Sequence, residues 1–312
     1  MPKSLYTCKT LARLSPTDKI LVDVPFPVSL PSLTRLELSC VVYRDEESHV
    51  RLLSGCPVLK DLTVLRSDNV GRVDDNVRKF RVKVPSLLNL TYSFRQVNED
   101  DTDDRSLVID TPALKYLNII HGWGGSCSME YMPHLVYAYI CVRFYPDDNL
   151  LRSLSSIKYL QLDPPDMVPW CNAVNYSQLI KFSIDDIYAD ECESLVVLLS
   201  NCPQLKVFMV ESMYDEIDQL EDQVPVLWNQ PSSVPRCLSS RLKLFRWTGY
   251  RGREYERELI RYIVENSKCL KKAEVYLNLS SHPEEKQKMA EELKSIPKVL
   301  TSVLKPDRRD WW

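Results

Sequence analysis

PSLTRLEL, Pro31–Leu38, decides how the rest of the chain is read, because its pattern keeps returning. The pattern is Pro or Ser, a variable residue, an apolar residue, two variable residues, then two apolar residues separated by one position. It recurs as PVLKDLTV (Pro57–Val64), PSLLNLTY (Pro85–Tyr92), PALKYLNI (Pro112–Ile119) and PHLVYAYI (Pro133–Ile140). It continues as SSIKYLQL (Ser155–Leu162), SQLIKFSI (Ser177–Ile184), PQLKVFMV (Pro203–Val210) and SRLKLFRW (Ser240–Trp247). A half-copy stands at Leu11 and Leu14, and a weaker one at Leu270, Ala273 and Val275. The first apolar positions follow one another at 21 to 28 residues, with a single gap of 37. The last two apolar residues of each phrase share one face of a short strand. One repeat cannot bury that face alone, whereas neighbours stacked in a parallel sheet can. The spacing therefore predicts an α/β leucine-rich-repeat solenoid with a parallel sheet of about ten short strands.

Composition narrows the function. The 312 residues carry 40 Lys and Arg against 43 Asp and Glu, a net charge of −3. No basic field is available to neutralise nucleic-acid phosphates, so no nucleic-acid partner is expected. Seven glycines are about 2% of the chain, against a usual share near 7%. Neither a dinucleotide-binding fingerprint nor a P-loop is present, and no cofactor is expected. The four histidines are scattered and the ten cysteines form no C-x-x-C, so no metal site is expected. Catalysis needs converging groups, and the one superficial match to a nucleophile motif, Gly124–Ser128, stands alone; the chain is not expected to be an enzyme. There is no membrane-length apolar run and no signal-peptide core at Met1–Thr10. The expectation is an intracellular, cytoplasmic or nuclear protein with free thiols, its sequons at Asn89, Asn175 and Asn278 arising by chance.

Helices are expected at 46–55 and 193–201, ending at Gly55 and Asn201 as left-handed caps before Pro57 and Pro203. Cys56, Cys202 and Cys269 share the slot before the strand, where a thiol serves as a small buried hydrophobe. The acidic stretch 98–104 reads as a solvated loop. Residues 1–212 thus form irregular repeats and 213–227 an acidic, proline-containing junction. A second module follows at 228–280, then a C-terminal helix and tail at 281–312. Within this part Glu254–Asn266 has helical periodicity, Ala273–Leu279 alternates as a strand, and Ser281-x-x-Glu284 reads as a capping box.

Three stretches resemble the plant F-box/leucine-rich-repeat proteins that carry an FBD domain. They are LVDVPFPVSLPSLTRLEL (Leu21–Leu38), LLSGCPVLKDL (Leu52–Leu62) and the segment from Trp228 to Val275. The last includes Trp228, Pro231, Ser232, Ser233, Pro235, Cys237, Leu238, Gly249, Tyr250, Gly252 and Cys269. The resemblance covers nearly the whole chain and implies the target-recognition part of a cullin–RING ubiquitin-ligase receptor. Such proteins carry an N-terminal F-box that docks on a Skp-type adaptor. Here repeats begin by Leu11, with no F-box ahead of them, so adaptor binding is not expected from the chain alone. The alternative expectation is a stand-alone repeat scaffold, or a decoy that binds targets without delivering them.

The third and fifth positions of each phrase point away from the core, onto the concave sheet face. They place Tyr116, Tyr137 and Tyr159 at one height on three successive phrases, with Tyr139 alongside. With strands roughly 4.8 Å apart the rings are expected to form a ladder. Flanked by Lys181 and Arg35, it is the expected surface for a protein target. The bland alternative is that the aromatics only stabilise adjacent strands. A second cluster, Arg246-Trp247-x-Gly249-Tyr250-Arg251-Gly252-Arg253, suggests nucleic-acid or phosphate binding or, more simply, salt bridges to Glu254 and Glu256.

Overall fold

A computed structural model describes residues 1–17, 20–24, 27–67, 77–95, 105–121, 126–142, 146–164, 166–172, 174–212, 231, 233–278 and 281–302. The acidic stretch 98–104, the junction 213–227 and the tail from Lys305 lie outside the described residues. The chain forms two compact units, Met1–Ile157 and Lys158–Trp312.

The phrase becomes one structural device, repeated. In most phrases the leading Pro or Ser is the second residue of a tight turn, and the turn is closed by the first apolar residue. Thus Leu33 N–H donates to Leu30 O, Leu59 to Cys56 O, Leu87 to Val84 O, and Leu205 to Cys202 O, at 3.1–3.2 Å. Proline suits that position because its fixed φ matches the turn. One carbonyl per repeat then accepts two N–H groups from the next. Thr34 and Arg35 share Ala12 O, Leu88 and Asn89 share Lys60 O, and Lys206 and Val207 share Ile180 O. Each strand is thereby started in register with its predecessor.

In the first unit the strands are β1 (Arg13–Leu14), β2 (Arg35–Ser39), β3 (Asp61–Ser67), β4 (Asn89–Arg95), β5 (Tyr116–His121) and β6 (Tyr137–Val142). They pair in parallel in that order. Leu36 and Leu38, Leu62 and Val64, Leu90 and Tyr92, Leu117 and Ile119, and Ala138 and Ile140 are buried on the inner face. Against this core lie α1 (Ser48–Ser54), α2 (Asp148–Leu154) and a second parallel ladder the phrases did not reveal. Its strands are Lys79–Lys83, Ser106–Asp110 and Ser126–Met129. The ladder contributes Phe80, Val82, Leu107, Ile109 and Met129 to the interior. Polar side chains are folded into this core. Arg66 lies 5.3 Å from the Phe80 ring centre and 5.1 Å from Phe94, and donates to Tyr92 Oη at 2.9 Å. His49 of α1 stacks on Phe80 at 4.3 Å, and its Nε2 accepts the Arg81 N–H at 2.9 Å.

The second unit repeats the scheme with β7 (Tyr159–Asp163), β8 (Lys181–Ile184), β9 (Val207–Glu211), β10 (Leu244–Tyr250), β11 (Lys272–Leu277) and β12 (Val299–Ser302), all parallel. Its helices are α3 (Val168–Asn172), α4 (Cys192–Ser200), α5 (Arg236–Ser240), α6 (Glu254–Asn266) and α7 (Pro283–Lys294). Phe182, Phe208 and Phe245 stack through neighbouring strands at 5.7 Å per step. The helix expected over Glu254–Asn266 is present with those bounds.

Three local expectations are corrected. Gly55 and Asn201 end their helices with φ of −80° and −84°, not in the left-handed region. Gly55 is required by contact instead, since a Cβ there would overlap a Val28 methyl carbon. The capping box of α7 sits one residue later, with His282 N–H donating to Glu285 Oε2 at 3.1 Å. Cys56 and Cys202 are buried, and each Sγ–H meets the carbonyl four residues earlier, Leu52 and Leu198, at 3.2 and 3.1 Å. Cys269, in the same slot, is exposed.

Candidate protein-binding face

In the first unit the concave row reads Arg13, Arg35, Asp61, Asn89, Tyr116, Tyr137 across directly paired positions. Arg35 pairs with Asp61 at 3.4 Å, and the Asn89 amide donates to the other Asp61 oxygen. Asn89, the residue of the first sequon, is thus tied into a strand. Beyond it Tyr116 and Tyr137 lie with ring centres 6.5 Å apart, tilted by 37°. Tyr116 keeps 50% of its surface in solvent. The next row is Glu37, Thr63, Thr91, Asn118 and Tyr139, all half-buried. Asn118 Oδ1, between the Thr91 and Tyr139 positions, is buried and accepts no hydrogen bond among the described residues. Asn118 occupies a fifth position of its phrase, and nothing in the local sequence signals that its acceptor would lack a donor.

Tyr159 and Lys181 stand on the second unit's own face, as paired residues of β7 and β8. Tyr159 is 40% exposed. Lys181 is half-buried; burial lowers its ammonium pKa, and Glu211 opposes that shift. The rest of this face departs from expectation. Ser183, Met209, Arg246 and Glu274, at positions expected to face solvent, are buried. Their polar groups are joined in pairs: Gln161 donates to Asp185 at 2.8 Å, Ser183 to Glu211 at 3.2 Å, and Arg246 to Glu274 at 2.8 Å. Lys272 also reaches Glu274, and both cations hold that carboxyl below its usual range against the upward push of burial.

The basic-aromatic cluster is likewise resolved residue by residue. Arg246 pairs with Glu274, and Glu254 pairs with Arg257. Glu256 Oε2 accepts the backbone N–H groups of Arg251 and Arg253 at 3.0 and 3.1 Å. Gly249 forms a bulge in β10 with φ +83°, and Gly252 has φ +81°. Burial pushes the Glu256 carboxyl up to about 7. Among the described residues no three His, Cys, Asp or Glu side chains are grouped to hold a metal ion, and no helix is long and apolar enough to cross a membrane.

Residues 230–275 match the FBD family, and residues 1–138 match the LRR repeats of FBD-associated F-box protein At5g56370. An Arabidopsis thaliana F-box/FBD/LRR-repeat protein, At3g49480, is 56% identical over 308 residues, covering 97% of this chain and 67% of the relative. The chain belongs to the F-box/FBD/LRR-repeat family. A second Arabidopsis thaliana member, the FBD-associated F-box protein At1g05080, is 44% identical over 311 residues, covering 97% of this chain and 69% of its own length. A third, the F-box/FBD/LRR-repeat protein At4g26340, is 34% identical over 304 residues, covering 97% and 70%. This F-box/FBD/LRR-repeat chain therefore spans about two thirds of the length of these relatives. No solved structure matches it.

Proposed function

We propose that the chain holds a protein target on its concave strand face, as the target-recognition part of an F-box-type ubiquitin-ligase receptor. The observation that carries this reading is the row on the first unit. It runs from the Arg35–Asp61–Asn89 chain, with its fixed polar geometry, to the adjoining rings of Tyr116 and Tyr137, half of Tyr116 being left in water. Tyrosines presented on a rigid strand offer much contact area at little cost in side-chain freedom, the property of interface hot spots. Tyr139 extends the patch, while Tyr159 and Lys181 are offered by the second unit.

The reading is tested with Tyr116→Ala/Tyr137→Ala. Both side chains point out of the core, so the melting temperature should stay within a few degrees while recovery of bound protein from plant extract falls at least about tenfold. Equal recovery would sink the concave-face reading. Delivery to a ligase is tested separately, by mixing the 312-residue chain with purified Skp-type adaptor. Binding supports a receptor role for these residues themselves; no binding supports the scaffold reading for this stretch.

A further inference from the structure

We propose that the FBD region contains a binding pocket for a single carboxylate group. A cavity of about 30 Å³ opens at the C-terminal ends of β8, β9 and β10, and its lining includes Asp186, Ser212, Trp247, Arg251, Arg253 and Glu256. The Trp247 indole is 1% exposed and its Nε1–H meets no acceptor among the described residues. A buried donor left in this way bears the cost of its lost hydration, which an acceptor placed against it would relieve. The bulge at Gly249 and the left-handed Gly252 carry the backbone around this space, so that Arg251 and Arg253 both border it. The cavity also adjoins the first turn of α6, a 13-residue helix whose N-terminal end favours negative charge.

Size and charge select among anions. A buried water occupies roughly 10–15 Å³ of such space, so about 30 Å³ accommodates two oxygen atoms. A carboxylate presents two, in the planar spacing that a guanidinium fork matches. A phosphate brings four oxygens and a charge near −2. The lining holds two guanidinium groups against Asp186 and Glu256, and Glu256 already spends one oxygen on two backbone N–H groups. Burial pushes the Glu256 carboxyl up to about 7, so below that pH the two guanidinium groups face the Asp186 carboxylate alone, a balance that suits one negative charge better than two. The remainder of the ligand would project from the mouth, so the carboxylate can come from a small organic acid or from an acidic side chain or C-terminus of a polypeptide.

The test is the Trp247 indole N–H resonance of the full chain in a proton–nitrogen correlation spectrum, assigned with Trp247→Phe. Sodium acetate should shift this resonance saturably, while sodium chloride at equal ionic strength should not. Arg251→Gln and Arg253→Gln should each weaken the acetate effect about tenfold without displacing the resonance in acetate-free buffer. A short aspartate-containing peptide binding more tightly than acetate points to a polypeptide source, and equal affinity to a small acid. Absence of a saturable shift with acetate, or a response matched by chloride, overturns the proposal. So does saturation by inorganic phosphate in preference to acetate.

Discussion

Gly249 shows how one position can be fixed from two directions. Its φ of +83° belongs to the region that side chains avoid, and a Cβ there would come within 2.7 Å of Ser212 O. Gly249→Ala must therefore strain the backbone and displace a neighbouring strand end. A loss of about 1–3 kcal/mol is expected, read as a lower urea midpoint with an unchanged slope. Gly55 makes a related point about legibility. Its place after an apolar helical run and before Pro57 suggested a left-handed cap, yet its φ is −80° and the demand comes from Val28. A contact between residues 27 positions apart leaves no trace in a local pattern. The thiols of Cys56 and Cys202 were legible, because a turn position facing a helix end dictates a small apolar group.

The strands that carry the phrase were readable for a clear reason: turn, register and inner face are all encoded within eight residues. The outer ladder was not. Lys79–Lys83 alternates KFRVK, but its charged residues and the absence of a leading Pro hid it among the gaps. The concave face was legible only in direction. Alternation says which way Tyr116, Ser183 or Arg246 points; it does not say whether that side is covered, and Ser183 and Arg246 are buried. The inner stack of β8, β9 and β10 gives a sharper prediction. Phe208 lies between Phe182 and Phe245 at 5.7 Å from each and is fully buried. Phe208→Ala removes the middle ring and leaves a cavity, at a cost of about 3–5 kcal/mol by denaturant unfolding. Phe208→Leu should recover much of that loss.

The two units should answer acid in opposite ways. In the first, burial lowers the His49 pKa from 6.5 to about 4. The unfolded chain therefore binds the extra proton between those values, and stability grows as pH rises from 4 to 6.5, by about 3 kcal/mol in full. In the second, burial raises the carboxyls of Glu191 and Glu256 from 4.5 to about 7. There the folded state keeps the proton longer, and stability declines as pH rises through that interval. Amide hydrogen exchange, corrected for intrinsic rates, should show Met1–Ile157 gaining protection from pH 4.5 to 6.5 while Lys158–Trp312 loses it. His49→Gln should flatten the first trend alone. The shared-carbonyl device has a consequence for how such a chain can change over generations. Because Lys60 O sets the start of β4 as Ala12 O sets that of β2, the seams inside a unit that use this device are built alike. A whole repeat can be gained or dropped while the surviving seams keep their register, so the recognition surface can be lengthened or shortened in steps of one strand without redesigning its interior.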